Sequence, residues 1–516
     1  MSPRNTLIAA ISLLICFCFA LLTACENKKA ASVASQKNLT GEVLAGKQLA
    51  VTYCSACHLY PQPELLNKES WNNVLPEMKK QMDKSGIQIK LFEWLAIQDS
   101  YRQAAPAKLT EPGPETLTQQ ATIFRKTDSL TVVLPKESAA TLVKYDAAGK
   151  QFFIGDATGN LFIIRKGELT RTVHTDQLPV DVQEDRTNHQ LLVLGLGNFF
   201  PSEEMKGKLV AINADGNQQT IADSLKRPVQ FVARDFNGNG DQEYLISSFG
   251  STMGKVNSGR LSLFYKQGGK YKEKIIKESP GATKAVAGDF NHDGRLDFMA
   301  LFAQGKESIL LFLNKGNLNF EEKQLLEFPP VYGSNSFDLV DINGDSFLDI
   351  IFTNGDNSDY STIYKPYHGV RIFINNGHNA FQEKYFFHVN GAAKVVARDF
   401  DADGDPDLVV LAMFPNLFSR AQETLVYLEN EGDLQFKASY LEKTPSTQWF
   451  LMDAGDIDQD GDEDIVVGAN TMVTMPVPDS LQQKWRKHKI SYTAFKNISE
   501  KRQSKTFWDK LLGFMQ

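Results

Sequence analysis

Asp399-Phe400-Asp401-Ala402-Asp403-Gly404-Asp405-Pro406-Asp407, followed at once by Leu408-Val409-Val410-Leu411, decides how most of this chain reads. Acidic residues alternate, glycine stands sixth, and an apolar run follows. The pattern recurs four times. Asp235, Asn237, Asn239, Asp241 and Glu243 take the odd positions of one copy; Asp289, Asn291, Asp293, Arg295 and Asp297 take those of the next. Then come Asp341, Asn343, Asp345, Phe347 and Asp349, and finally Asp456, Asp458, Asp460, Asp462 and Asp464. Side-chain oxygens at positions 1, 3, 5 and 9, with a backbone carbonyl at 7, can wrap a hard cation. Glycine at position 6 permits the sharp turn. The pattern therefore predicts up to five Ca²⁺ sites, weakened where Ser346 replaces the glycine and Asn239 removes a carboxylate. An EF-hand would need a glutamate at position 12 and flanking helices. Position 12 here is Ile246, Ala300, Phe352, Val410 or Val467, mostly inside strand-like runs, so the loops read as strand-to-strand turns.

The copies begin 54, 52, 58 and 57 residues apart, a period that suits a propeller or solenoid unit. They resemble FG-GAP (VCBS) repeats, the blades of integrin-like β-propellers. The resemblance implies an all-β propeller over 119–497. Two degenerate units precede the five: Leu142 to Ile164 around Asp146 and Gly149, and Val180 to Leu194 around Asp185. Counting both predicts seven blades, with six or eight as alternatives. Thr131-Val132-Val133-Leu134 is the expected strand that closes the ring and removes the exposed sheet edge.

In a four-stranded blade the first and third turns share one face of the disc. With the acidic loops as first turns, the long segments after the second strands fall on the opposite face. Loops carry function more often than scaffolds do. The segment from Thr353 to His368 gathers Asn354, Asp356, Tyr360, Lys365 and His368. That inventory suits a carbohydrate, a metal or a protein surface, so these five residues are the predicted ligand face.

Ahead of the repeats, Cys54-Ser55-Ala56-Cys57-His58 fits CxxCH, the attachment signature of c-type haem. Two thiols at this spacing can add to the two vinyl groups on one porphyrin edge, and His58 can reach the iron as axial ligand. Gly41 to Tyr53 and Ile87 to Arg102 read as helices, the second with Leu91, Trp94 and Leu95 as packing positions. This all-α stretch, 41–104, resembles a small cytochrome c. Met78 and Met82 are the candidate sixth ligands, on one side of a short helix begun by Pro76. Trp71 to Met78 resembles a WxxVLPxM segment found after CxxCH in cytochrome domains joined to FG-GAP propellers, which favours Met78. A Pro-rich linker over 105–118 joins the modules.

The first 25 residues read as a processing segment. Arg4 precedes an apolar run from Leu7 to Leu22, too short for a confident span. Leu22-Thr23-Ala24-Cys25 resembles a bacterial lipobox, which implies cleavage before Cys25 and lipidation of it. A flexible tether follows over 26–40, and 498–516 is a C-terminal tail. Of five cysteines, Cys16 and Cys18 leave with the signal; lipid takes Cys25 and haem takes Cys54 and Cys57. No thiol remains for a disulfide. Net charge is −7, which gives no footprint for nucleic acid.

The expectation is a lipoprotein of the bacterial cell envelope, periplasmic or surface-exposed, with one covalent haem c for electron transfer. Its calcium-stabilised propeller would dock a redox protein, or a carbohydrate or protein ligand. Two other readings stand beside it: a sugar-oxidising propeller enzyme that passes electrons to its own haem, and an adhesion scaffold with an accessory haem.

Overall fold

The structure, a computed structural model, describes residues 41–112, 117–127, 139–199, 202, 204–250, 259–358, 361–469, 475–488 and 490–499. The signal segment, Cys25, the tether, Tyr360 and Thr131–Leu134 lie outside the described residues. Among the described residues no helix is long and apolar enough to cross a membrane.

Seven four-stranded antiparallel sheets form the propeller. The first strands of successive blades touch one another and so surround the axis. The second strands are hidden on both faces between blades. All six positions are buried in Glu243–Ser248, Asp297–Phe302, Asp349–Asn354, Asp407–Ala412 and Asp464–Ala469. This explains why the run after each acidic loop is continuously apolar rather than alternating. Outer strands such as Lys270–Glu278 carry charges toward solvent, which discourages edge pairing. The degenerate units at Leu142 and Val180 become the first two blades.

The ring closes as expected but with an earlier segment. Phe124–Thr127 pairs antiparallel with Tyr492–Asn497 and becomes the outer strand of the last blade. Phe124 is buried against Phe400 and Tyr427 of blade 6.

The N-terminal module holds three helices, α1 (Gly41–Cys54), α2 (Lys68–Lys84) and α3 (Leu91–Ala104). α1 and α3 cross closely at Gly46, where a Cβ would stand 2.2 Å from the Ala96 carbonyl oxygen. The core between the helices is Ala50, Trp71, Val74, Leu75, Trp94, Ile97 and Tyr101. Two expectations change. α2 begins eight residues before Pro76, because Asn67 Oδ1 caps it by accepting from Ser70 N at 2.8 Å. On α3 only Trp94 of the three expected packing residues is buried. Leu91 and Leu95 are 73% and 53% exposed, since Trp94, Ile97 and Tyr101 share the inward face.

This module rests on the loop face of the propeller. Tyr367 Oη donates to Leu65 O at 2.8 Å, and the Ser70 and Ser361 hydroxyls lie 2.8 Å apart. Val331 and Ile363 of the propeller pack against the helical core. The described part of the linker is tied down as well. Arg420 Nη2 donates to Pro112 O at 2.6 Å, and Asn390 Nδ2 donates to Glu111 Oε2 at 3.3 Å. A fourth helix, α4 (Asp479–His488), lies in the long turn of the last blade; Leu481 and Trp485 pack on Leu417 of blade 6.

Candidate functional site

α1 ends at Cys54, and the next residues continue as a loosened turn in which His58 N donates to Cys54 O at 3.4 Å. CxxCH therefore occupies the unwinding end of a helix. Both thiols are free, Cys54 half-buried and Cys57 exposed. Burial, and then the neighbouring Cys57, push the Cys54 thiol up to about 11. His58 Nδ1 lies 2.8 Å from Leu59 O. With its proton on Nδ1 the ring donates to that carbonyl and keeps the Nε2 lone pair for a metal. Burial lowers the basicity of His58, while Glu327 of the propeller acts against it. The segment after His58 is pinned: Tyr101 Oη donates to Pro61 O at 2.5 Å and Trp71 Nε1 to Pro63 O at 2.7 Å. Two thiols separated by two residues, with an adjacent imidazole whose Nε2 is uncommitted, fit a covalently held haem. Met82 is 7% exposed in the helical core, whereas Met78 is half-buried at its margin.

The five acidic loops share one internal scheme. The position 1 carboxylate gathers backbone N–H groups: Asp399 Oδ1 accepts from Asp403 N at 3.1 Å and Oδ2 from Gly404 N at 3.0 Å. Asp235, Asp289 and Asp341 do the same, and Asp456 accepts from Gly461 N. Donor oxygens of Asp399, Asp401 and Asp403 lie within 4.8 Å of one another, as do those of Asp456, Asp458 and Asp464. The loops differ in counter-charge. Lys496 Nζ contacts Asp458 and lies 2.9 Å from Asp460 Oδ2. Arg295 folds its guanidinium onto Asp293.

Position 9 differs in kind from positions 1, 3 and 5. Glu243, Asp297, Asp349, Asp407 and Asp464 are all fully buried. Asp407 Oδ1 accepts from Asn430 N at 2.7 Å, and its Oδ2 accepts from Phe400 N at 3.2 Å and Tyr427 Oη at 2.8 Å. Burial pushes its carboxyl up to about 7, against the opposing pull of these donors. Asp297, Asp349 and Asp464 bond an asparagine amide in the same way, from Asn314, Asn375 and Asn497. These asparagines end the third strands and were not among the expected site residues. Asn314 and Asn497 also reach the preceding blade, donating to Phe236 O and Phe400 O, each at 2.7 Å. Their signal was an asparagine at the end of the third apolar run in four of the five acidic-loop blades.

The expected ligand face is largely interior. Asn354, Lys365 and His368 are buried. Asn354 Nδ2 donates to Tyr332 O and Tyr367 O, and Lys365 Nζ donates to Asn357 Oδ1 and Ser361 O. Asp356 is half-buried and accepts from Ser358. The helical module covers part of the surface that the sequence left open. Both ring nitrogens of His368 lack a partner among the described residues. Burial first, then Lys365, His388 and Arg371, hold it neutral well below the usual histidine range. The unfolded chain therefore takes up a proton near pH 6.5 that the folded chain refuses, and stability falls as pH drops through that range. Urea midpoints at pH 7.5 and 5.0 should show a loss in the wild type that His368→Leu reduces, by up to about 1.4 kcal/mol per pH unit. Equal losses in both chains would contradict this.

An unwinding helix that carries CxxCH, set against a seven-bladed propeller of acidic loops, defines a cytochrome-c-plus-propeller protein. Comparison with known families agrees at both ends. Residues 50–142 match the Dihaem cytochrome c family and residues 235–300 match the FG-GAP-like repeat. No curated protein matches the chain. Among solved structures it is similar to the Cps50 (Swd1) β-propeller domain of Myceliophteria thermophila, at 10% identity and TM-score 0.43, over 71% of this chain and 100% of that one. It is also similar to the N-terminal domain of Nup159, at 12% identity and TM-score 0.40, over 73% and 96%.

Proposed function

We propose that the chain is a lipid-anchored c-type cytochrome of the bacterial cell envelope, in which a calcium-bound propeller carries the haem module and docks a partner or ligand. The observation that carries electron transfer is CxxCH with His58 Nε2 uncommitted, inside the region that matches a cytochrome family. The haem, when bound, supplies a one-electron change at iron. Cys54 and Cys57 would hold it covalently, and His58 and Met78 are the residues that would ligate its iron, Met78 being favoured because Met82 is committed to the core. The matched family is named for two haems, but the sequence has a single CxxCH, so one thioether-linked haem is expected. A visible spectrum of the reduced protein tests this. A low-spin haem that does not bind CO is expected; a high-spin, CO-binding haem would overturn it.

Calcium at the five loops is supported by their donor spacing and by the two aspartate triads. The fifth loop should bind more weakly than its five aspartates would suggest, because Lys496 already places a cation among its carboxylates. Lys496→Ala should add about one equivalent of calcium, or tighten one site about tenfold, in a calorimetric titration. An unchanged isotherm would remove the lysine from the argument. The anchor rests on the lipobox at Cys25, and metabolic labelling with palmitate should be lost in Cys25→Ala.

A further inference from the structure

Between the helical module and the loop face lies a cavity of about 440 Å³. Its wall is composite. Asn67 comes from the cap of α2, Glu111 from the linker, Ser358, Thr362 and Tyr364 from the long turn of blade 5, and Phe414 from that of blade 6. Neither module would form it alone. The volume lies within the usual range for small-ligand sites.

The lining has a definite chemistry. Tyr364 and Phe414 offer aromatic surface, while Asn67, Ser358 and Thr362 add amide and hydroxyl groups. Charge is balanced, with Glu111 the only carboxylate and Lys108 the only cation among the described lining residues. An anionic ligand would call for more cations, and a greasy one for fewer polar groups. Glu111 is itself held from outside the lining, beside three buried acceptors that have no protein partner among the described residues. His388 Nε2, Asn390 Oδ1 and Glu423 Oε2 are buried without a hydrogen-bond partner among the described residues. Asn390 holds Glu111 directly at 3.3 Å, and Glu111 acts electrostatically on both His388 and Glu423. Buried polar atoms of this kind are met by ordered water or by ligand groups. A molecule rich in hydroxyls supplies donors for Glu111 and partners for the lining amide and hydroxyl groups, and C–H faces for the aromatic rings.

We infer that this cavity binds a neutral saccharide of one or two rings, recognised through Glu111, Asn67 and Thr362 against the Tyr364 and Phe414 rings. The inference rests on the loop face as the ligand-bearing face and is independent of the redox role of the haem.

The test is calorimetry on the full-length haem-loaded protein with glucose, galactose, mannose, N-acetylglucosamine, maltose and cellobiose as probes, alongside thermal unfolding. At least one sugar should bind and raise the unfolding temperature. Glu111→Gln, and Thr362→Arg at the exposed rim, should each weaken that binding at least tenfold. Lys323→Ala, on an outer strand, should leave it unchanged. Thr362→Arg alters an exposed position, so it remains informative if the linker variant folds poorly. Absence of binding by every probe, or binding indifferent to both variants, would overturn the inference. The haem spectrum, read on the same samples, tests the electron-transfer role separately.

Discussion

Replacing Cys54 and Cys57 together with alanine is expected to remove all covalently bound haem, so that the denatured chain no longer gives a haem-dependent stain. The reason is chemical, since these are the only thiols in the described residues and stand at the spacing that two vinyl groups require. Neither thiol is needed for the fold. Cys57 is exposed, Cys54 sits at the margin of a core built by Trp71, Trp94 and Tyr101, and the propeller does not use them. Propeller unfolding should stay where it was. His58→Ala should act differently, because the thioethers survive while the proximal imidazole is lost. The covalent stain should remain and the low-spin spectrum should not. Haem retained by the double variant after denaturation would exclude CxxCH as the attachment site.

Asp407→Ala is expected to destabilise the propeller by about 3 kcal/mol or more, whereas Asp403→Ala, four residues earlier, should cost little without calcium. Asp407 accepts from two backbone amides and the Tyr427 hydroxyl while fully buried. Its removal strands three buried donors at once, each worth roughly 1–3 kcal/mol. Asp403 is more exposed and mainly orders its own loop, accepting from Asp405 N at 3.0 Å. Its loss should appear as weaker calcium binding. Chemical denaturation with and without chelator separates the two effects. Equal destabilisation by both substitutions in the absence of calcium would mean that position 9 is a metal ligand and nothing more.

Much of this arrangement could be read from the residues because it is local or periodic. CxxCH needs five consecutive residues. The acidic loops need nine, and their recurrence, with two degenerate units ahead, counts to the seven sheets that form. α4 was not read from the sequence: Leu481 and Trp485 stand four apart after Pro478, but the segment passed for an irregular insertion inside a long turn. The start of α2 was misplaced because Pro76 is a strong helix-start signal, and the Asn67 cap outweighs it. The closing strand is shifted for a similar reason. Thr131–Leu134 is the more β-like run, but Phe124 reaches the pocket between Phe400 and Tyr427.

By itself the sequence determined the chemistry that consecutive atoms define: the thiol pair with its imidazole, the loop oxygens, and the alternation of turn and buried strand, while the sheets that form chose seven blades over six or eight. Tertiary structure decided what separated segments do to one another. It seated the helical module on the loop face through Tyr367 and Ser361, and thereby turned Asn354, Lys365 and His368 from an expected ligand surface into interior. It also buried the ninth loop residue, made it an acceptor for an asparagine a strand away, and brought Asn67, Glu111 and Tyr364 to one cavity. The physical reason is range. A hydrogen bond or turn within nine residues is written in their order, but burial depends on which distant surface arrives to exclude water, and no local pattern records that.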